Sequence, residues 1–130
     1  MKKKFKAELL QLDIARKYGY TYSREVLERA FADPVFVHMN ENKQIPVKLE
    51  CGDVVGYCSM KLEYPTMYFE GELDLEDGDL KYLGNELAAI APAGFISFKD
   101  GEVDYVRYAH CYLIDGERQG IKCSMEVLSK

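Results

Sequence analysis

The chain has no tryptophan, only two histidines, and no Cys-x-x-C pair among its four cysteines. Each shortage excludes something. Two imidazoles confine base catalysis to His38 and His110, because a nucleophile needs its base within hydrogen-bond reach. Cys51, Cys58, Cys111 and Cys123 are too widely spaced for the close ligand pairs of tetrahedral zinc sites. His110 adjoins Cys111, but neighbours on a strand point to opposite faces, so no metal site is expected. In a reducing cytosol the cysteines are expected as thiols, packed as small hydrophobic groups. No apolar run approaches the ~18–20 residues that span a bilayer. The basic start lacks the apolar stretch and cleavage site of a secretory signal, so the expected location is cytoplasmic, away from membranes. There is no G-x-G-x-x-G, no P-loop and no G-x-S-x-G, hence no signature of a nucleotide cofactor or an α/β-hydrolase. Positive charge is also in deficit. Seventeen basic against 22 acidic residues give a net charge of -5, a poor surface for nucleic acid, whose affinity comes from phosphate neutralisation. The one basic cluster, Lys2, Lys3, Lys4 and Lys6, reads as a solvated terminus or as an arm for an acidic partner.

What remains is an ordinary globular composition: 130 residues, 48% hydrophobic and 30% charged, expected as one domain over residues 1–130. Ten Tyr and six Phe suit pleated sheets better than helix bundles. Phe5 to Ile14 reads as a strand whose alternation changes phase, as at a bulge. Ser23 is an N-cap with Glu25 in the first turn, and Val26, Leu27, Ala30 and Phe31 form the stripe of a helix that stops before Pro34. Val35 to Met39 reads as a short strand. Ile45 to Leu49 and Asp53 to Glu63 are strands parted by Cys51-Gly52, and the Tyr64-Pro65-Thr66 turn leads into Met67 to Asp74. There Met67, Phe69, Gly71 and Leu73 share one face and Tyr68, Glu70, Glu72 and Asp74 the other.

Leu80, Leu83, Leu87 and Ile90 have the spacing of a second helix, closed by Pro92. Phe95 to Lys99, Val103 to Ile114 and Ile121 to Leu128 finish as a meander, with Asp100-Gly101 as a strong hairpin signal. The expected fold is α+β: a curved or barrel-like, mainly antiparallel sheet of about seven or eight strands with two helices. The acidic run from Glu70 to Asp79 lacks the ligand spacing of a calcium loop. Ser97 lies in Gly94-Phe95-Ile96-Ser97-Phe98, on a short strand, where a serine is ordinarily a small core or edge residue.

In order, these elements resemble the capsid-maturation (prohead) proteases of tailed phages, which share a fold with the herpesvirus assemblins. The family's Asn-Gly-Arg-x-Tyr turn and following helix are similar to Tyr18-Gly19-Tyr20-Thr21-Tyr22 and Leu27 with Ala30, without the flanking Asn and Arg. Its Pro-Val strand resembles Ile45-Pro46-Val47, its Val/Ile-Gly strand Val55-Gly56, and its Gly-x-Leu strand Gly71-Glu72-Leu73. Its serine-bearing strand resembles Gly94 to Phe98.

The resemblance implies Ser97 as nucleophile. It also implies a histidine after the Pro-Val strand, where this chain has Leu49-Glu50-Cys51; neither carboxylate nor thiol reproduces an imidazole poised near neutral pH. His38 takes that place only in a shifted alignment through Pro34-Val35-Phe36-Val37-His38. The expectation is therefore a prohead-protease-like virion-assembly protein of a phage or prophage. It has lost catalysis and contacts phage structural proteins or itself, in the host cytoplasm or the virion. Two other readings stay open. One is an active serine endopeptidase using Ser97 with His38 or His110. The other is a small binding domain unrelated to phage, with Tyr105, Tyr108 and Tyr112 as its contact face.

Overall fold

The computed structural model describes residues 2–10, 22–74, 88–115 and 123–128. Its elements are β1 (Lys2–Leu10), α1 (Arg24–Ala32), α2 (Pro34–Glu41), β2 (Ile45–Leu49), β3 (Val54–Glu63), β4 (Thr66–Asp74), β5 (Ala88–Lys99), β6 (Glu102–Asp115) and β7 (Cys123–Leu128). The fold is α+β. One sheet runs in the order β5-β6-β2-β3-β4-β1-β7. Every ladder is antiparallel except β2 against β6, which is parallel. No ladder joins the edges β5 and β7 among the described residues, so the sheet is open rather than a closed barrel. It curls nonetheless, bringing residues of β5 and β7 within 8 Å of each other, Cα to Cα. No helix among the described residues is long and apolar enough to cross a membrane.

Alternation explains the central strands. Phe5, Ala7 and Leu9 of β1, Met67, Phe69 and Leu73 of β4, and Cys58 and Met60 of β3 are buried on one face. On the other face Lys4 stands opposite Glu72 and Lys6 opposite Glu70. The N-terminal lysines therefore lie in a strand beside an acidic ladder. Opposite charges across strands contribute roughly 0.2–1 kcal/mol per pair. β3 and β4 approach each other closely at two points. Gly56 and Gly71 are both interior-facing, paired with Leu73 and Cys58, and the two backbones nearly touch there. A Cβ on Gly71 would overlap the Tyr57 carbonyl oxygen and lie 2.7 Å from the Cα of Cys58. Glycine in a strand marks such a close approach.

Two expectations are corrected. Val35 to Met39 is helix, not strand. The Asp33 carboxylate accepts from the Val35 and Phe36 amides at 2.9 and 3.3 Å, and Pro34 takes the first helical position, where a proline is favoured. Asp-Pro thus ends α1 and starts α2, overriding the strand propensity of Val-Phe-Val. Ile90 and Pro92 are not in a helix either, but in β5, paired with Leu113 and Cys111. An edge strand tolerates proline, and pairing with β6 decides the conformation. The rest of that expected helix, residues 80–87, lies outside the described residues, as do the Tyr18–Thr21 part of the first turn and the end of the first strand after Leu10. At the β5–β6 hairpin Asp100 and Gly101 have φ of 53° and 79°, the left-handed pair of a type I′ turn.

The helices sit on β3 and β6. Val26, Leu27, Ala30 and Phe36 are buried, and Phe31 and Phe36 pack edge-on or tilted against Tyr108 with centroids 6.2 and 6.4 Å away. Asn40 makes a second attachment. Its amide donates to the Met60 carbonyl at 2.8 Å and its oxygen accepts from the Met60 amide at 2.6 Å, so a helical side chain continues the ladder that β2 leaves at Ile45.

Asn40→Ala is expected to lower stability by about 2 kcal/mol, since it strands two partly buried backbone groups; urea unfolding measures it. Gly71→Ala is expected to destabilise by about 3 kcal/mol or more, because backbone rather than a flexible side chain must move. A neutral result in the same assay would mean the strands do not approach as described.

Candidate functional site

Ser97 lies on the solvent side of the β5–β6 hairpin. The ladder pairs Ser97 with Tyr105 and Phe98 with Val103, leaving Asp104 as the extra residue of a bulge. Bulges re-aim side chains, and this one turns the Asp104 carboxylate onto the serine hydroxyl, which donates to it at 2.5 Å. On the same face lie two exposed aromatics, Phe95 at 62% and Tyr105 at 42%, while Phe98, paired with buried Val103, is exposed on the other face. The rings of Phe95 and Tyr105 are 5.9 Å apart. The Arg29 guanidinium reaches the Asp104 carbonyl at 3.5 Å.

Arg107 ties this hairpin to the helices. Its Nε and Nη2 donate to one Asp33 oxygen at 3.3 and 3.2 Å, while the other oxygen caps α2. Burial pulls the Asp33 carboxyl upward. The Phe36 and Val35 amides and Arg107 outweigh it and hold the group below the ordinary carboxylate value.

The structure does not gather the sequence-derived candidates. His110 pairs with Ala93, four positions from Ser97 along β5, or ~13 Å at strand rise. It stands edge-on to Tyr112 at 5.0 Å. Burial, then the charge of Lys48, lowers its pKa, so the ring is neutral near pH 7. His38 is exposed in the last turn of α2, two residues from buried Phe36 and so on the opposite helix face. Among the described residues neither imidazole hydrogen-bonds Ser97; the serine is held by a carboxylate. Cys51, at the place where the resemblance puts a histidine, is exposed in the turn after β2. Leu49 pairs with Leu113, eight positions along β6 from the residue opposite Ser97, about 26 Å away.

The tyrosines divide: Tyr105 is exposed, Tyr108 buried and Tyr112 partly buried against the core, the register shift between His110 and Tyr108 changing the phase of the strand. The cysteines divide too. Cys58 and Cys111 are buried as expected, whereas Cys51 is exposed. Among the described residues no three His, Cys, Asp or Glu side chains come together as a ligand set. A cleft of 710 Å³ opens at the glycine pair, walled by Lys4, Tyr57, Glu70 and Glu72, remote in register from Ser97. Asp104, Arg107 and the exposed phenylalanines carry no motif. Counting back from the Asp100-Gly101 turn is the one signal that sets Ser97 opposite residues 104–105.

The Asp33 charge has a pH signature. Because its folded-state pKa is depressed, it stabilises the fold above the unfolded carboxylate value, and that contribution disappears as pH falls through the folded value. Asp33→Asn keeps an acceptor for the α2 cap but loses the charge facing Arg107. Urea midpoints are expected to separate wild type from this variant near pH 7 and to converge as pH drops below about 4.

No protein-family model, curated protein or solved structure matches the chain.

Proposed function

We propose that the chain is a non-catalytic assembly domain of a tailed phage or prophage, binding a virion structural protein, or itself, through the exposed end of its β5–β6 hairpin. The observation that carries this is the surroundings of Ser97: a carboxylate holds the hydroxyl, and aromatic rings are exposed beside it on an edge strand. A nucleophile needs a base that takes its proton, and the hairpin offers an aromatic contact surface instead. Edge strands are also ready partners for another chain, and aromatic residues are enriched in interface cores.

The phage setting rests on the order of motifs. Pro46-Val47 falls on β2, Val55-Gly56 on β3, Gly71-Glu72-Leu73 on β4 and Gly94 to Phe98 on β5, in the order the prohead-protease resemblance requires. The curled sheet is then an opened version of the barrel-like sheet that resemblance implies. The protein would act in the host cytoplasm or within the virion.

The test is to mix the purified chain with the capsid and scaffolding proteins encoded beside it. One of them, or a second copy of the chain, is expected to co-elute. Ser97→Ala should leave that association intact, and Phe95→Ser with Tyr105→Ser should weaken it tenfold or more, about 1.4 kcal/mol. Cleavage of either protein that Ser97→Ala abolishes would establish the active protease instead. Neighbouring genes without capsid, portal or terminase would point to a binding domain unrelated to phage.

A further inference from the structure

The curl of the sheet brings three sulfur atoms together in the core. Cys58 is on β3 and Cys111 on β6, with β2 between them: Ile45 pairs with Cys58 and Val47 with Cys111. Their Sγ atoms are 3.9 Å apart, and the Cys111 thiol donates to the Met60 thioether at 3.6 Å. Cys58 and Cys111 are fully buried and Met60 nearly so. Burial, followed by the hydrogen bond and charge of Cys58, pushes the Cys111 thiol well up, so it is protonated at neutral pH.

This spacing suits a bridging ion better than a disulfide. A disulfide needs sulfurs ~2.05 Å apart and Cα atoms within about 7 Å. The two cysteines lie on strands separated by a third, at strand spacings of ~4.8 Å. An ion ~2.3 Å from each sulfur would subtend about 115° across the existing 3.9 Å gap, between trigonal and tetrahedral values. All three donors are soft, and thiolate with thioether selects copper(I) among biological metals.

We propose that Cys58, Cys111 and Met60 form a binding site for a single soft monovalent cation of the copper(I) class. Binding is a substitution without change of oxidation state. The ion displaces one thiol proton, which leaves to solvent, and is held by one thiolate, one thiol and one thioether. The centre is electrically neutral, as an apolar interior demands. Neither histidine takes part, and the site does not depend on the proposed assembly role.

Silver(I), a redox-inert probe of the same class, tests it on the full chain, reduced and then freed of reductant. After equilibration long enough for local opening of the sheet, native mass spectrometry is expected to show one silver per folded chain, with a raised Tm. Both should persist when Cys51→Ser and Cys123→Ser are combined. Met60→Leu, close in volume, should keep the far-UV circular dichroism spectrum and weaken binding at least tenfold. Cys58→Ala should abolish it. A Tm that is unchanged or lowered by silver, as when an ion binds only unfolded thiols, would overturn the proposal. So would loss of the bound silver in the Cys51→Ser, Cys123→Ser variant. If Cys58→Ala does not fold, the wild-type Tm and the Met60→Leu titration decide alone.

Discussion

A strand can lie unusually close to its neighbour only where its own residue leaves no side chain in the way. β3 and β4 each supply such a position, Gly56 against Glu72 and Leu73 and Gly71 against Tyr57 and Cys58. The sheet curls, and the inner faces of strands far apart in sheet order share one core. Phe5 of β1, Phe69 of β4 and Ile90 of β5 belong to the same buried cluster. Cys58 and Cys111 would be two strand spacings apart in a flat sheet, so their 3.9 Å contact requires curvature across β6, β2 and β3 as well.

The helices are fastened to that sheet by polar contacts at defined points as well as by aromatic packing. Asp33 serves three elements at once, ending α1, capping α2 and accepting from Arg107 of β6. Arg29 adds a contact to the backbone of the Asp104 bulge. The hairpin end that carries Ser97 is thereby placed by the helices as well as by its own turn. In chemical terms the positioned hairpin presents a hydroxyl–carboxylate pair and exposed flat rings, with neither imidazole hydrogen-bonded to the serine.

Where one face is wet and the other dry, the residues announce the strand. Met67 to Asp74 is legible almost to its ends, and so are Ile45 to Leu49 and the Asp100-Gly101 turn. The first helix is legible through its Ser23 cap and its stripe. Val35-Phe36-Val37 was not, because three apolar residues in a row carry no period and the deciding signal is the Asp33-Pro34 pair before them. Ile90 misled for a different reason: leucines at helical spacing precede it, while its own conformation is set by a partner strand more than twenty residues later. The alternating lysines of β1 and acids of β4 are each visible alone, yet only the register makes them a ladder. Of the site, Ser97 was visible and its partner was not, since a bulge re-aims Asp104 without leaving a mark in composition.

The side chain of Asn40 has one more effect. β3 is twice the length of β2, so the β2 ladder ends at Cys58 and does not cover the rest of β3. By occupying Met60 on both its amide and its carbonyl, Asn40 satisfies the groups that an uncovered strand edge offers to another chain. A single polar residue on a short helix thus does for one residue of β3 what a neighbouring strand would otherwise do.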